Sequence, residues 1–297
     1  MTTYPPQFAP YLTASPIVAA DHPEIRRLAA ELQAAGDGSP TDTVRRCFEY
    51  VRDQIRHSWD YRADAHNPLT CTAPQVLAER TGYCYAKSHL LAALLRANGL
   101  PAALCYQRLT LEPGGERYCL HGLNAVYLPG HGWYRLDPRG NKPGVEARFT
   151  PPNEQLAFAL DYPGELDFPG LYPEPVAAIQ DLLQRCASVQ EAMDQLPDAT
   201  ALPPAPPESA LEGALTMCLA IPAKIVELLP DDQARIDLGG VRKEVSLALV
   251  EDVAVGDYVI IHVGYALTKL DPEEAAKTLA LFAELDDEAR AAAMAQA

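Results

Sequence analysis

Through the first hundred residues apolar positions recur three and four apart, and after that every second residue, so the chain predicts helices first and a sheet behind them. Asp21-His22-Pro23-Glu24 opens a helix in a capping-box pattern, with the Asp21 side chain and Glu24 serving free backbone N–H groups. A second helix carries Val44, Phe48, Val51 and Ile55 on one stripe. Gly82 to Asn98 holds a third, whose buried face is Leu90, Leu91, Leu94 and Leu95 and whose stop is Gly99. The period then changes. Residues 102–109, 123–128 and 132–136 read as strands between Gly- and Pro-containing turns, and a helical pattern returns over about 174–196.

Residues 197–216 are proline-rich and read as an extended, semi-rigid linker. Beyond it, β-prone runs at 219–229, 234–238, 241–249 and 257–263 are punctuated by Asp231-Asp232, Gly239-Gly240 and Gly256-Asp257, the rhythm of a small barrel. Asp271-Pro272-Glu273-Glu274 then caps a helix to about Leu285. The expected layout is a domain over 1–196, the linker over 197–216, a second domain over 217–285 and a frayed tail over 286–297.

Composition narrows the class. Of 297 residues 48% are hydrophobic and 22% charged, which supports two packed cores and excludes a disordered chain. The net charge of −16 repels phosphate backbones and counts against nucleic acid as a partner. It is shared evenly: residues 217–297 hold 15 acidic and 7 basic side chains, net −8, leaving −8 for residues 1–216. Seven cysteines with no CxxC pair indicate neither a disulfide framework nor a structural zinc site. The opening Met1-Thr2-Thr3-Tyr4-Pro5-Pro6 lacks a signal-peptide pattern, and no apolar run approaches the roughly 18 residues of a membrane span, so a cytoplasmic protein is expected.

Candidate chemistry begins at Gly82-Tyr83-Cys84, which places a cysteine at the start of a long helix. There the helix dipole and free N–H groups favour an anion, lowering a thiol's pKa and offering donors to an oxyanion. Such a nucleophile needs a base, and the base an orienting carboxylate. His121 opens one predicted strand and Asp137 closes the next, so two antiparallel neighbours set them side by side. The bland alternative is a buried core cysteine with unrelated His and Asp residues. His89, five residues past Cys84, is rotated roughly 140° away on the helix. The spacing of Cys84, Cys119 and His121 is unlike familiar zinc patterns.

Residues 40–145 resemble a transglutaminase-like cysteine-protease domain. The resemblance is carried by Gly82-Tyr83-Cys84, the helix ending Arg96-Ala97-Asn98-Gly99-Leu100-Pro101, His121 heading a strand, Gly132-Trp133, and Leu136-Asp137-Pro138. It extends into Arg139-Gly140-Asn141-Lys142. It implies an α+β papain-like transglutaminase core with Cys84 as nucleophile, His121 as general base and Asp137 orienting His121. One departure matters: the family's His is usually followed by Ala-Trp, and here Gly122-Leu123 follow, so the substrate is not carried over.

The C-terminal domain has one cysteine, Cys218, and one histidine, His262. A soft thiolate and an imidazole are fit ligands for iron, although each also suits an apolar core. Residues 217–285 resemble the HypC/HupF hydrogenase-maturation chaperones, through Met217-Cys218-Leu219-Ala220-Ile221-Pro222, the run Gly239-Gly240-Val241-Arg242-Lys243-Glu244-Val245, Val255-Gly256-Asp257-Tyr258-Val259 and His262-Val263-Gly264-Tyr265-Ala266. That implies a small OB-like β-barrel with a C-terminal helix. It also implies a transiently carried iron with cyanide and carbon monoxide ligands, held through Cys218 and His262. The implied partners are a HypD-type scaffold and the precursor of the [NiFe]-hydrogenase large subunit. In the family the initiator Met is removed and the cysteine becomes N-terminal, whereas Cys218 here is internal. Cleavage before Cys218, or a second translation start at Met217, would restore the free amine.

Three readings follow: a bifunctional maturation factor with a cysteine hydrolase; a transglutaminase-like peptidase or amidase whose barrel is only a docking module; or an interaction protein without chemistry.

Overall fold

The computed structural model describes residues 4–112, 114–205, 222–230, 233–238, 241–247, 250, 253–262 and 265–270. The chain divides into two compact units, Met1–Ala214 and Leu215–Ala297.

The first unit opens on a 3-10 turn and then helix α1 (Pro23–Ala34). The cap differs from the expected one. His22, not Asp21, is the N-cap residue, its Nδ1 accepting from the Glu24 N–H at 3.3 Å, because Pro23 at the first helical position needs no partner. Helix α2 (Pro40–Gln54) is capped by Ser39, and its stripe Val44, Phe48, Val51 with Ile55 beyond it is buried. A two-residue strand β1 (Arg56–His57) follows, then α3 (Ala73–Glu79), and β2 (Thr81–Gly82) runs parallel to β1. Helix α4 (Cys84–Ala97) is buried on all sides, its last turn followed by Gly99 at φ +72°. That full burial explains Lys87, His89 and Arg96: each polar end is spent on backbone carbonyls.

Strands β3 (Ala102–Thr110), β4 (Tyr118–Leu128) and β5 (Gly132–Leu136) form an antiparallel sheet in which β4 starts five residues before the predicted 123. The extension arises because β3 pairs with β4 along its whole length, Thr110 against Tyr118, whatever the side-chain pattern. The hairpin β6 (Arg148–Thr150) and β7 (Asn153–Gln155) precedes β8 (Leu166–Asp167), which adds to β3 and gives the order β5-β4-β3-β8. One face of this sheet packs Leu104, Tyr106, Leu120 and Val126 into the core around α4, and the other packs Ala103, Cys105, Leu123 and Ala125. The helical pattern over 174–196 resolves into α5 (Ala177–Arg185) and α6 (Val189–Asp194), with Ser188 capping the second. Residues 197–205 have no regular structure yet are fastened down. Leu120 N–H donates to the Pro197 carbonyl at 2.8 Å, Arg108 pairs with Asp198, and Tyr172 donates to the Pro203 carbonyl. The rest of the expected linker lies outside the described residues.

The second unit is a closed barrel of β9 (Pro222–Leu229), β10 (Gln233–Leu238), β11 (Val241–Ser246), β12 (Tyr258–His262) and β13 (Tyr265–Leu270), in the order β10-β11-β13-β12-β9. The fifth strand was absent from the pattern reading, because the turn between β12 and β13 lacks the usual Asn-Gly signal. Ala223, Ile225, Ala234, Ile236, Val245, Val259 and Ala266 fill the interior at alternating positions. The helix expected over 271–285 and the tail over 286–297 lie outside the described residues.

Candidate functional site

Cys84 is the first residue of α4, and Tyr83, the N-cap residue, provides no side-chain cap. The first N–H groups of the helix therefore remain available beside the thiol. Its approach is fixed from behind: β2 pairs with β1, and Ser58 N–H donates to the Gly82 carbonyl at 3.0 Å.

The sheet supplies the base. In the pairing of β4 with β5, Asn124 faces Leu136, so Asp137, one step further, lies diagonal to His121 on the same face. The two side chains meet with His121 Nε2 at 2.7 Å from Asp137 Oδ2. Asp137 is fully buried and also accepts from the Arg139 N–H at 3.0 Å and the Ala157 N–H at 3.2 Å. Burial alone would raise its pKa, but the charge and hydrogen bond of His121 hold it below the ordinary carboxylate range. The Cys84 sulfur stands near enough to His121 to favour its charged form. Burial works against its charge, yet Asp137 and then the Cys84 sulfur prevail and its pKa is pushed up to about 10. The fold thus brings the three candidate residues together, an arrangement able to hold a thiolate–imidazolium pair and pass a proton.

The glycine after His121 has a steric cause. A Cβ at Gly122 would lie 2.8 Å from Tyr85 Cδ1 and 3.2 Å from Tyr85 Cα. Tyr85, whose hydroxyl donates to the Leu120 carbonyl, occupies the space a larger neighbour would need. The Phe158 ring stands edge-on to His121 at 5.1 Å.

A cleft of about 480 Å³ opens over Cys84, walled by Trp59, Phe158, Met193 and Leu196 and floored by Cys119 and His57. Cys119 is a thiol whose pKa burial, and then Cys84, push up to about 12, which keeps it protonated. At one side Arg139 grips Asp60 through both nitrogens (2.5 and 3.0 Å), and Lys142 adds a third bond at 2.6 Å. Sequence reasoning missed His57, Asp60 and Lys87. His57-Ser58-Trp59-Asp60 has no period of its own, and a lysine on a helix ordinarily points to water. His89 instead faces away, its Nδ1 2.7 Å from the Cys71 carbonyl oxygen and its pKa pushed down by burial to about 4. Among the described residues no three His, Cys, Asp or Glu side chains converge as a metal site would need.

His262 ends β12, paired with Tyr265 of β13. Cys218 lies outside the described residues.

Fold and site together define a papain-like thiol domain of transglutaminase type, followed by a small barrel. Residues 26–138 match the model of the transglutaminase-like superfamily, and residues 217–282 match that of the HupF/HypC family. The hydrogenase maturation factor HypC of Cupriavidus necator is 67% identical over 70 residues, covering 24% of this chain and 78% of that protein. HypC of Rhizobium leguminosarum bv. viciae is 66% identical over 68 residues, 23% of this chain and 91% of its own length. This chain belongs to the HupF/HypC family, with a transglutaminase-like domain ahead of the family's own. Among solved structures, the periplasmic domain of TgpA from Pseudomonas aeruginosa is similar with a TM-score of 0.34 and 20% identity, over 46% of this chain and 48% of that one. The arylamine N-acetyltransferase from Mycobacterium abscessus is similar with a TM-score of 0.33 and 17% identity, over 96% and 98%. The chain spans under half the length of the TgpA domain.

Proposed function

We propose that this chain is a hydrogenase maturation factor that carries its own thiol hydrolase or acyl-transferase. The observation that carries the first half is the 67% identity of its last quarter to a HypC protein. The barrel takes an iron with cyanide and carbon monoxide ligands as cargo, through Cys218 and His262. It passes that cargo between a HypD-type scaffold and the large-subunit precursor of a [NiFe] hydrogenase, in the cytoplasm. Among the described residues no helix is long and apolar enough to cross a membrane.

The second half rests on the convergence of Cys84, His121 and Asp137, with His121 hydrogen-bonded to Asp137 and acted on by the Cys84 sulfur. The Cys84 sulfur attacks an acyl carbon, His121 gives its proton to the leaving group, and then takes one from the water that cleaves the thioester. Asp137 fixes the ring and stabilises its charged form. Whether Cys218 acts in place or is freed by cleavage or by a start at Met217 is decided by intact mass from the producing cell.

The test is complementation. In a bacterium lacking its own HypC, the full chain restores hydrogenase activity and the purified protein shows infrared bands of cyanide and carbon monoxide. Both vanish in Cys218→Ala. An iron-free protein that fails to restore activity would leave the other reading, a thiol enzyme with a docking barrel, for which the internal position of Cys218 speaks.

A further inference from the structure

One imidazole in the cleft stands outside the group of Cys84, His121 and Asp137. His57 is 8% exposed, and its Nδ1 is buried without a hydrogen-bond partner. A buried polar atom left unpaired costs free energy, so a ring held in this way calls for an explanation. The ring is firmly placed. Its Cα is paired with that of Gly82, two residues before Cys84, and the ring stands edge-on to Tyr83 at 5.7 Å. The nearest carboxylate, Asp60, is 3.8 Å from Nδ1, too far for a hydrogen bond, and its oxygens are already taken by Arg139 and Lys142. Burial, and then the charge of Arg139, hold the imidazole well below its ordinary pKa, so it is neutral at neutral pH. A neutral imidazole carries one N–H, and the partner of one nitrogen fixes which atom bears it. Nδ1 has none, so the tautomer is free to follow whatever binds at Nε2. His57 lines the cleft, and with Nδ1 buried, Nε2 is the nitrogen left to meet a ligand there. Arg139, Lys87 and His121 act on this ring as positive charges, opposed by the single carboxylate of Asp60, and the surrounding cations favour an anion beside it.

We propose that His57 donates its Nε2–H to the oxyanion formed when Cys84 attacks an acyl substrate, completing a hole begun by the free N–H groups of α4. This rests on the reading of Cys84 as nucleophile. The Cys84 thiolate bonds to the carbonyl carbon and the C=O electron pair moves onto oxygen. The return of that pair expels the leaving group and leaves a thioester for water to cleave.

Two probes separate this role from a structural one. With p-nitrophenyl acetate, Cys84 attack makes an oxyanion, expels p-nitrophenolate and leaves an acetyl thioester. Iodoacetamide is attacked at a saturated carbon, loses iodide, and makes no oxyanion. Both rates are read at Cys84 by mass spectrometry on the full chain, and their ratio is the measurement. His57→Ala is expected to lower acetylation by about 10²–10³-fold relative to alkylation, the loss typical of one oxyanion donor. His57→Gln, which keeps an N–H, is expected to regain at least about tenfold of that. An unchanged ratio, whether both rates hold or both fall together, overturns the proposal. If wild type is not acetylated at Cys84 while iodoacetamide still alkylates it, the hole is absent. If neither reagent modifies Cys84 faster than it does free cysteine, the nucleophile reading fails first and the inference with it.

Discussion

The ammonium of Lys87 lies 3.3 Å from the carbonyl oxygen of Arg52 and also donates to that of Ile55, so one turn of α4 past Cys84 closes the C-terminal end of α2. A cation at that end of a helix also answers its dipole. Lys87→Met leaves both carbonyls buried and unpaired, and is expected to cost about 1–3 kcal/mol in urea unfolding. Burial, then Arg139, lower the Lys87 pKa from 10.5 to about 7. The folded protein therefore releases this proton before the unfolded chain does, and stability from this site rises between those two pH values. Lys87→Met should abolish that rise, and a variant with the wild-type slope would refute this account of the site.

His121 has the opposite sign. Its pKa is raised from 6.5 to about 10, so the stability its charge contributes is complete below 6.5 and lost as pH climbs through about 10. Asp137→Asn removes the chief upward push. The stability gap between wild type and Asp137→Asn should be widest near the lower value and close toward the upper, and the His121 ring should titrate lower by NMR. Alkylation of Cys84 at neutral pH should slow by about tenfold or more, one pKa unit being worth that factor. Equal rates in the two proteins would remove Asp137 from the relay.

Asp60 anchors the polar side of the cleft. Despite burial, which would raise it, the bonds from Arg139 and Lys142 bring its pKa down to about 2. Its contribution is present above the ordinary 3.8 and fades as pH falls toward 2, so Asp60→Asn should flatten that part of the acid-unfolding curve. Charge-assisted hydrogen bonds of this kind are worth about 1.5–3 kcal/mol each, which sets the loss expected near neutral pH. Denaturation curves in acid and at neutrality check both.

Among the described residues, Ile225, Ile236, Val245 and Val259 are the larger buried side chains of the barrel core, the others being alanine. Ile236→Ala should cost about 2–5 kcal/mol, most of what so small a core supplies. Leu228→Ala, at a side chain 46% exposed, should shift the same thermal melt hardly at all. Equal effects of the two would place the core elsewhere.

Where one period held over several turns, the elements were readable from residues alone: the stripe Val44, Phe48, Val51 and the leucines of α4 predict what the fold buries. His121 and Asp137 were legible because each sits beside a strand whose neighbour is next in sequence, so local pattern fixes the long-range meeting. His57 was not. Its place depends on a two-residue parallel pairing with Gly82, which leaves no periodicity to read. Lys87 was equally hidden, since a lysine on a helix normally points to water, and only the packing of α2 and the sheet around α4 reverses that. Residues 197–205 read as a linker because proline content reports stiffness and says nothing of docking.

That docking has a mechanical side. Leu196 walls the cleft, and Leu120 N–H, one residue from His121, holds the Pro197 carbonyl. Tension entering the first unit along the chain from residue 206 would load the Tyr172–Pro203 bond first, then the Arg108–Asp198 clamp. Only after both had given way would it reach β4 beside the His121 imidazole. The strap is a graded series of anchors in which the strand bearing His121 is the last to feel strain.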